Sequence, residues 1–178
     1  MVCYQACLML VKSEYRSIDQ MRYEVFKDAE VMNSLDYMTQ EHMQDVFTKA
    51  TMVSDDEKDS FNDRLGPEFI SCDAEECSLT LLFHTEPWMC NKNGNMHGGM
   101  IASVCDLTMG LLSRYYKRTH SCSTIHLGIE YARGVSPEGN VIVKAVMEKA
   151  GRNVFFTSAK VYRSTDDCLA ALATAEFM

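Results

Sequence analysis

His97-Gly98-Gly99 stands at the junction between a loop rich in Asn and Gly and a long apolar run. If that run is helical, its first turn carries backbone N–H groups without intrahelical acceptors, at the positive end of the helix dipole. Glycine there lets a ligand approach the backbone closely. Such a point suits an oxyanion, or a carbonyl becoming one. The glycines equally serve a plain tight turn, and taken alone they do not decide between the two. Asp106 lies in the middle of the apolar run, between Cys105 and Leu107. A carboxylate there needs a partner or a task, because burying it unpaired is expensive. Placed in a cleft it is a general-base candidate, and a satisfied buried Asp is the ordinary alternative.

Gly98 and Asp106 are eight residues apart. On one helix that is about 12 Å along the axis, too far to clasp the same reacting atom. If both act, Asp106 of one chain must meet Gly98 of another. An antiparallel pairing of two such helices would make two symmetric sites. The expectation is a homo-oligomer, either a dimer or a dimer of dimers.

The elements that must position these residues are legible from periodicity. Ser17 and Gln20 form a capping-box pattern ahead of Ile18, Met21, Val25, Ala29 and Met32, which predicts an amphipathic helix over 17–33. A second helix opens at Thr39 with Met43, Val46, Phe47 and Ala50 on one face. A third is expected from Ser54, with Glu57 as its box partner, to Gly66-Pro67. Residues 69–76 and 77–85 read as a hairpin, and 86–96 as a loop. Residues 98–117 are apolar on nearly every side, as a buried helix is. Arg114, Lys117 and Arg118 complement the dipole at its C-terminal end.

Strands are then expected over 124–133, 141–149, 154–163 and 169–177, separated by turn sequences. In the first of these, Ile125, Leu127, Ile129 and Tyr131 alternate with Thr124, His126, Gly128 and Glu130 on the opposite face. The fold class is therefore α+β: an antiparallel sheet wrapped around one long central helix, with extra helices at the N-terminus. Residues 1–38 read as a helical extension and 39–178 as the main domain.

Composition narrows the partners. The chain has 178 residues, 47% hydrophobic and 24% charged, with a formal net charge of −8. That balance suits one domain with a real core and disfavours a nucleic-acid partner. Residues 1–66 hold 7 basic and 13 acidic side chains, and the rest 10 and 12, so the acidity is concentrated in the N-terminal segment. The eight cysteines show neither Cys-x-x-Cys nor zinc spacing, which predicts reduced thiols and no metal. The apolar start is too short to span a bilayer and lacks a basic n-region. A cytoplasmic location is expected, with the mitochondrion as the alternative.

Residues 88–178 resemble the PaaI-like acyl-CoA thioesterases of the hotdog superfamily. Their pattern Asn-x-x-Gly-x-(Leu/Met)-His-Gly-Gly, with an Asp eight residues after the first glycine of His-Gly-Gly, is matched by Asn91, Gly94, Met96, His97, Gly98, Gly99 and Asp106. A lone His-Gly-Gly would be weak; the full string with its Asp, the apolar helix and four following strands is specific. The likeness extends loosely to 39–85 and leaves 1–38 unexplained.

The resemblance implies hydrolysis of acyl-CoA thioesters, with no cofactor required beyond the coenzyme A of the substrate. It assigns Asp106 as base or nucleophile and the Gly98 N–H as the group polarising the thioester carbonyl. Asn91 would hold the carbonyl or the water, and Thr124 would assist the water. It places coenzyme A contacts at His97 and Gly99, at Tyr131, Arg133 and Ser136, and at Lys149, Gly151, Arg152 and Asn153. Within that group His97 chiefly shapes the helix start, since Asp106 already supplies a base. Two other readings fit the same fold: an enoyl-thioester hydratase, for which no hydratase string occurs, and a non-catalytic acyl-CoA-binding domain. Acyl chain preference is not legible.

Overall fold

The computed structural model describes residues 38–52, 60–119 and 121–178. The expected helix over 17–33 and the Ser54–Glu57 box lie outside these residues.

The first described helix, α1 (Gln40–Ala50), begins where Thr39, in extended conformation, accepts from the His42 N–H. Met43, Val46 and Phe47 are buried and Ala50 packs against the core, which is the face read from the sequence. Phe47 meets Tyr115 with ring centroids 5.3 Å apart. Gln40 ties the helix to the adjoining hairpin, donating to the Cys72 carbonyl at 2.8 Å and accepting from the Ala74 N–H at 2.9 Å. A short helix, α2 (Phe61–Leu65), opens at Ser60, whose hydroxyl accepts from the Asp63 N–H. It closes at Gly66 with φ 58°. The local Ser60–Asp63 cap thus starts this helix, and its end is the Gly66-Pro67 stop read from the sequence.

Six antiparallel strands follow the order β1-β2-β4-β5-β6-β3. They are β1 (Glu68–Asp73), β2 (Ser78–Phe83), β3 (Thr124–Tyr131), β4 (Val141–Ala150), β5 (Phe155–Arg163) and β6 (Leu169–Phe177). The β1–β2 hairpin turns earlier than the apolar pattern suggests. The Asp73 carboxylate accepts from the N–H groups of Glu75 and Glu76 at 2.8 Å each, and Cys77 takes φ 53°, so the turn is held by a side chain. The long helix α3 (Gly98–Lys117) has the bounds its apolar run predicts. It packs against β2, β3, β4, β5 and β6, while α1 packs on β1. The core is α3 residues such as Val104, Met109 and Leu112 set against Leu79, Leu81, Val143, Val161 and Ala171. This is the expected hotdog arrangement, a sheet wrapped around one helix.

β3 lies at the edge of the sheet, bonded to β6 on one side. Its register shifts between Thr124 and His126. Ile125 is the extra residue of this bulge and is 55% exposed, whereas Leu127 and Ile129 pack on the core. Strict alternation puts Thr124 on the face away from α3. The bulge returns it to the inner face, opposite the buried Phe177, as bulges commonly re-aim one side chain.

Phe47→Ala should cost about 3–5 kcal/mol of stability in urea unfolding, the usual range for a fully buried Phe, because Phe47 is sealed against Tyr115. A loss below about 1 kcal/mol would mean that α1 is an appendage outside the cooperative unit.

Candidate active site

The loop ahead of α3 is built around Asn91. Its side-chain oxygen accepts from the Asn93 N–H at 2.9 Å and the Asn95 N–H at 3.3 Å. Its own N–H donates to the Asn95 carbonyl at 2.7 Å. The loop is pinned at its far end by Met96 N–H to Val135 O and His97 N–H to Met89 O, both 2.7 Å. Gly134 lies against this loop, where a Cβ would stand 2.7 Å from the Asn95 side-chain oxygen and would displace it. Sequence reading missed Gly134; its only signal was a glycine directly after Arg133.

His97 is the N-cap of α3, and its Nδ1 accepts from the Gly99 N–H at 3.0 Å. The expectation that His97 shapes the helix start matches this geometry. The Met100 and Ile101 N–H groups donate to the His97 carbonyl at 2.8 and 3.2 Å. Among the described residues the Gly98 N–H alone of this first turn has no acceptor in the chain.

Two helical turns further on, the half-buried Asp106 accepts at Oδ1 from the Thr124 hydroxyl at 2.7 Å. The bulge in β3 is what brings Thr124 to it. No other hydrogen bond to Asp106 is made by the described residues, so Oδ2 is open to a ligand or water. The neighbouring Cys105 is fully buried. Burial first, and the Asp106 charge second, push its thiol up to about 12. A thiol held protonated this far above neutrality is no nucleophile, which leaves Asp106 as the candidate reactive side chain of this turn.

The residues expected at coenzyme A divide into two groups. Tyr131, Arg133 and Ser136 lie where β3 ends and the chain runs toward β4. Tyr131 donates to the Gly98 carbonyl at 2.9 Å, and Arg133 donates to the Cys168 sulfur at 3.3 Å. Ser136 is exposed, and its carbonyl accepts from the Gly139 N–H. Lys149, Gly151, Arg152 and Asn153 lie at the β4–β5 turn. There the Gly151 N–H donates to the Val154 carbonyl at 3.0 Å, and a Cβ on Gly151 would stand 2.5 Å from that oxygen. The length of β4 separates the groups by about 30 Å, so one chain cannot bring both to one phosphate. Gly98 belongs to the first end, through Tyr131. Thr124 belongs to the second, through its pairing with Phe177 and that of Phe177 with Phe155.

Residues 93–170 match the thioesterase superfamily. A candidate esterase of Pseudomonas aeruginosa is 26% identical over 102 residues, covering 56% of this chain and 75% of that protein. Among solved structures, a candidate thioesterase related to phenylacetic acid degradation, from Ralstonia eutropha, is 29% identical. It superposes with a TM-score of 0.59 over 65% of this chain and 86% of its own. A Streptococcus mutans protein with acetyl-CoA bound shares the fold at 18% identity, with a TM-score of 0.56 over 63% of this chain and 86% of that one. No helix among the described residues is long and apolar enough to cross a membrane.

The raised Cys105 thiol has a stability consequence. The folded state keeps the proton, so the stabilisation is complete below the unfolded value of 9.0 and is lost as pH rises toward about 12. Stability measured by urea unfolding should fall above pH 9, with this thiol contributing up to about 1.4 kcal/mol per pH unit. Cys105→Ala should flatten that slope; an unchanged slope would show that Cys105 ionises freely in the fold.

Proposed function

We propose, from a hotdog fold whose residues 93–170 carry the thioesterase-superfamily pattern, that this protein hydrolyses acyl-CoA thioesters to free acid and coenzyme A. Thioester hydrolysis as the general chemistry is supported by the superfamily match and by the candidate esterase and thioesterase relatives. The acyl-CoA substrate is suggested by the acetyl-CoA held by the Streptococcus mutans protein.

The observation that carries the mechanism is the placement of the two chemical groups at opposite ends of an edge strand. Gly98 is beside Tyr131 at one end of β3, and Asp106 is beside Thr124 at the other. The ends are about 23 Å apart along the strand. The free side of an edge strand is a template for pairing. Two β3 edges pairing antiparallel about a two-fold axis would bring Thr124 and Asp106 of one chain toward Tyr131 and Gly98 of the other, twice. The same operation would carry the Lys149–Asn153 turn of one chain toward the Arg133–Ser136 end of its partner, which offers coenzyme A both groups at once.

In such a site Asp106 Oδ2 takes a proton from water, and the water oxygen attacks the thioester carbonyl carbon. The carbonyl π-electrons move to oxygen, where the Gly98 N–H stabilises the developing charge. Asn91, whose side-chain oxygen is spent on its own loop, has its amide N–H groups left to orient the carbonyl or the water. Thr124 holds Asp106 and has lone pairs left for the water. Collapse of the tetrahedral species breaks the C–S bond, and the proton on Asp106 goes to the departing thiolate.

A panel of aliphatic and aryl-acetyl-CoAs assayed for free-thiol release should show turnover with the wild-type protein. Asp106→Asn should lower kcat by about 10²–10⁴-fold with little change in KM. Near-normal kcat would remove Asp106 from the mechanism. Absence of thiol release despite tight acyl-CoA binding would make the protein a binder. Thr124→Ser should keep most activity, and Thr124→Val should lose roughly tenfold, the value of one hydrogen bond to a charged group.

A further inference from the structure

A helix that opens on two successive glycines has a soft first turn, because neither residue restricts its own backbone. Here the Gly98–Gly99 peptide is gripped on both sides. Its carbonyl accepts from the Tyr131 hydroxyl at 2.9 Å, and its N–H donates to His97 Nδ1 at 3.0 Å. The Tyr131 ring also occupies the space in front of Gly98, where a Cβ would stand 3.2 Å from the ring. Burial does not explain this placement, since Tyr131 is 55% exposed and comes from an edge strand 33 residues away in sequence. Its hydroxyl is engaged with backbone and points at the helix start.

We propose that Tyr131 is a positioning residue which, together with His97, locks the Gly98–Gly99 peptide on one side of Gly98. The His97–Gly98 peptide, which carries the Gly98 N–H, is held on the other side by the Met100 and Ile101 N–H groups at the His97 carbonyl, so that the first turn keeps its shape. This role deepens the thioesterase reading and rests on it, because the Gly98 N–H is the one assigned to the thioester carbonyl. With its neighbours in the turn already committed to His97, Gly98 presents the one unclaimed donor of this turn, and the clamp limits the rotation about Gly98 that would turn the peptide carrying this N–H. An oxyanion donor is effective only when it need not reorganise as charge develops. A diglycine with one side released would have to.

The test uses Tyr131→Phe in the full chain, which keeps the ring and removes only the hydroxyl. Amide hydrogen exchange at Gly99, followed by NMR, should quicken by about tenfold relative to wild type. With acyl-CoA as substrate, kcat should fall about tenfold while KM stays within about twofold. Unchanged exchange at Gly99 would overturn the clamp. Quickened exchange with unchanged kcat would overturn its role in positioning the donor. A rise in KM with kcat preserved would instead make Tyr131 a binding contact and would also overturn the proposal. A wild-type protein inert toward acyl-CoAs would sink the thioesterase reading and the oxyanion role with it, and the exchange measurement would still decide whether the clamp exists.

Discussion

Burial of the Gly98–Lys117 helix against the sheet is the constraint from which the other features follow. Ile101, Val104, Cys105, Met109, Leu111, Leu112 and Tyr115 are all nearly inaccessible, so the helix has no solvent-stable orientation on its own. A sheet that covers it must bend around it, and strands β2 to β6 all contribute contacts. β3 is thereby placed beyond β6 at the edge of the sheet, along the side of the helix that carries Gly98 and Asp106. The candidate groups Gly98 and Asp106 sit on a strip of this helix that its own sheet leaves half-open.

That strip explains why small or polar residues interrupt an otherwise apolar helix. Gly98 accommodates the Tyr131 ring, Gly110 accommodates Phe177, and Asp106 meets Thr124. Each of these three departures from an apolar residue corresponds to a contact with the strands at or near the edge. The edge strand in turn departs from regularity where it must, with a bulge at Ile125 that turns Thr124 inward. Its hydroxyl donates to one oxygen of a half-buried carboxylate that has no other hydrogen bond from the described residues, which stabilises the carboxylate at the core boundary.

Much of this was legible in the sequence, for local reasons. The bounds of α3 follow from the His97 cap and from Arg118, which takes the left-handed conformation at its end. The last strand, Leu169–Phe177, has its expected bounds. What failed was non-local or set by a competing local signal. The Ser60–Asp63 cap of α2 went unread because Ser54 and Glu57, which lie outside the described residues, make the fuller capping-box pattern. Alternation put Thr124 on the wrong face, because a single inserted residue inverts the pattern. The Tyr131 contact with Gly98 joins residues 33 apart, and no periodicity encodes it. That the residues expected at coenzyme A fall at the two ends of β4 was not legible either, because sequence proximity to turns says nothing about which end of the sheet a turn occupies.

Whether Asp106 and Gly98 act from different chains is asked directly by mixing two defective proteins. Asp106→Asn removes the base. Gly98→Pro removes the aimed N–H at the first helical position, where proline is tolerated, and the exposed Tyr131 side chain has room to swing from the added ring. Circular dichroism and sizing establish first that both variants fold and assemble. Each alone should be nearly inactive. Refolded together at equal amounts, about half of the dimers should be mixed by random assortment. Each mixed dimer then holds one site with both lesions and one with neither, so about a quarter of wild-type activity should return. Recovery near that level is the predicted result; folded, co-assembled partners that regain no activity would contradict a site shared between two chains.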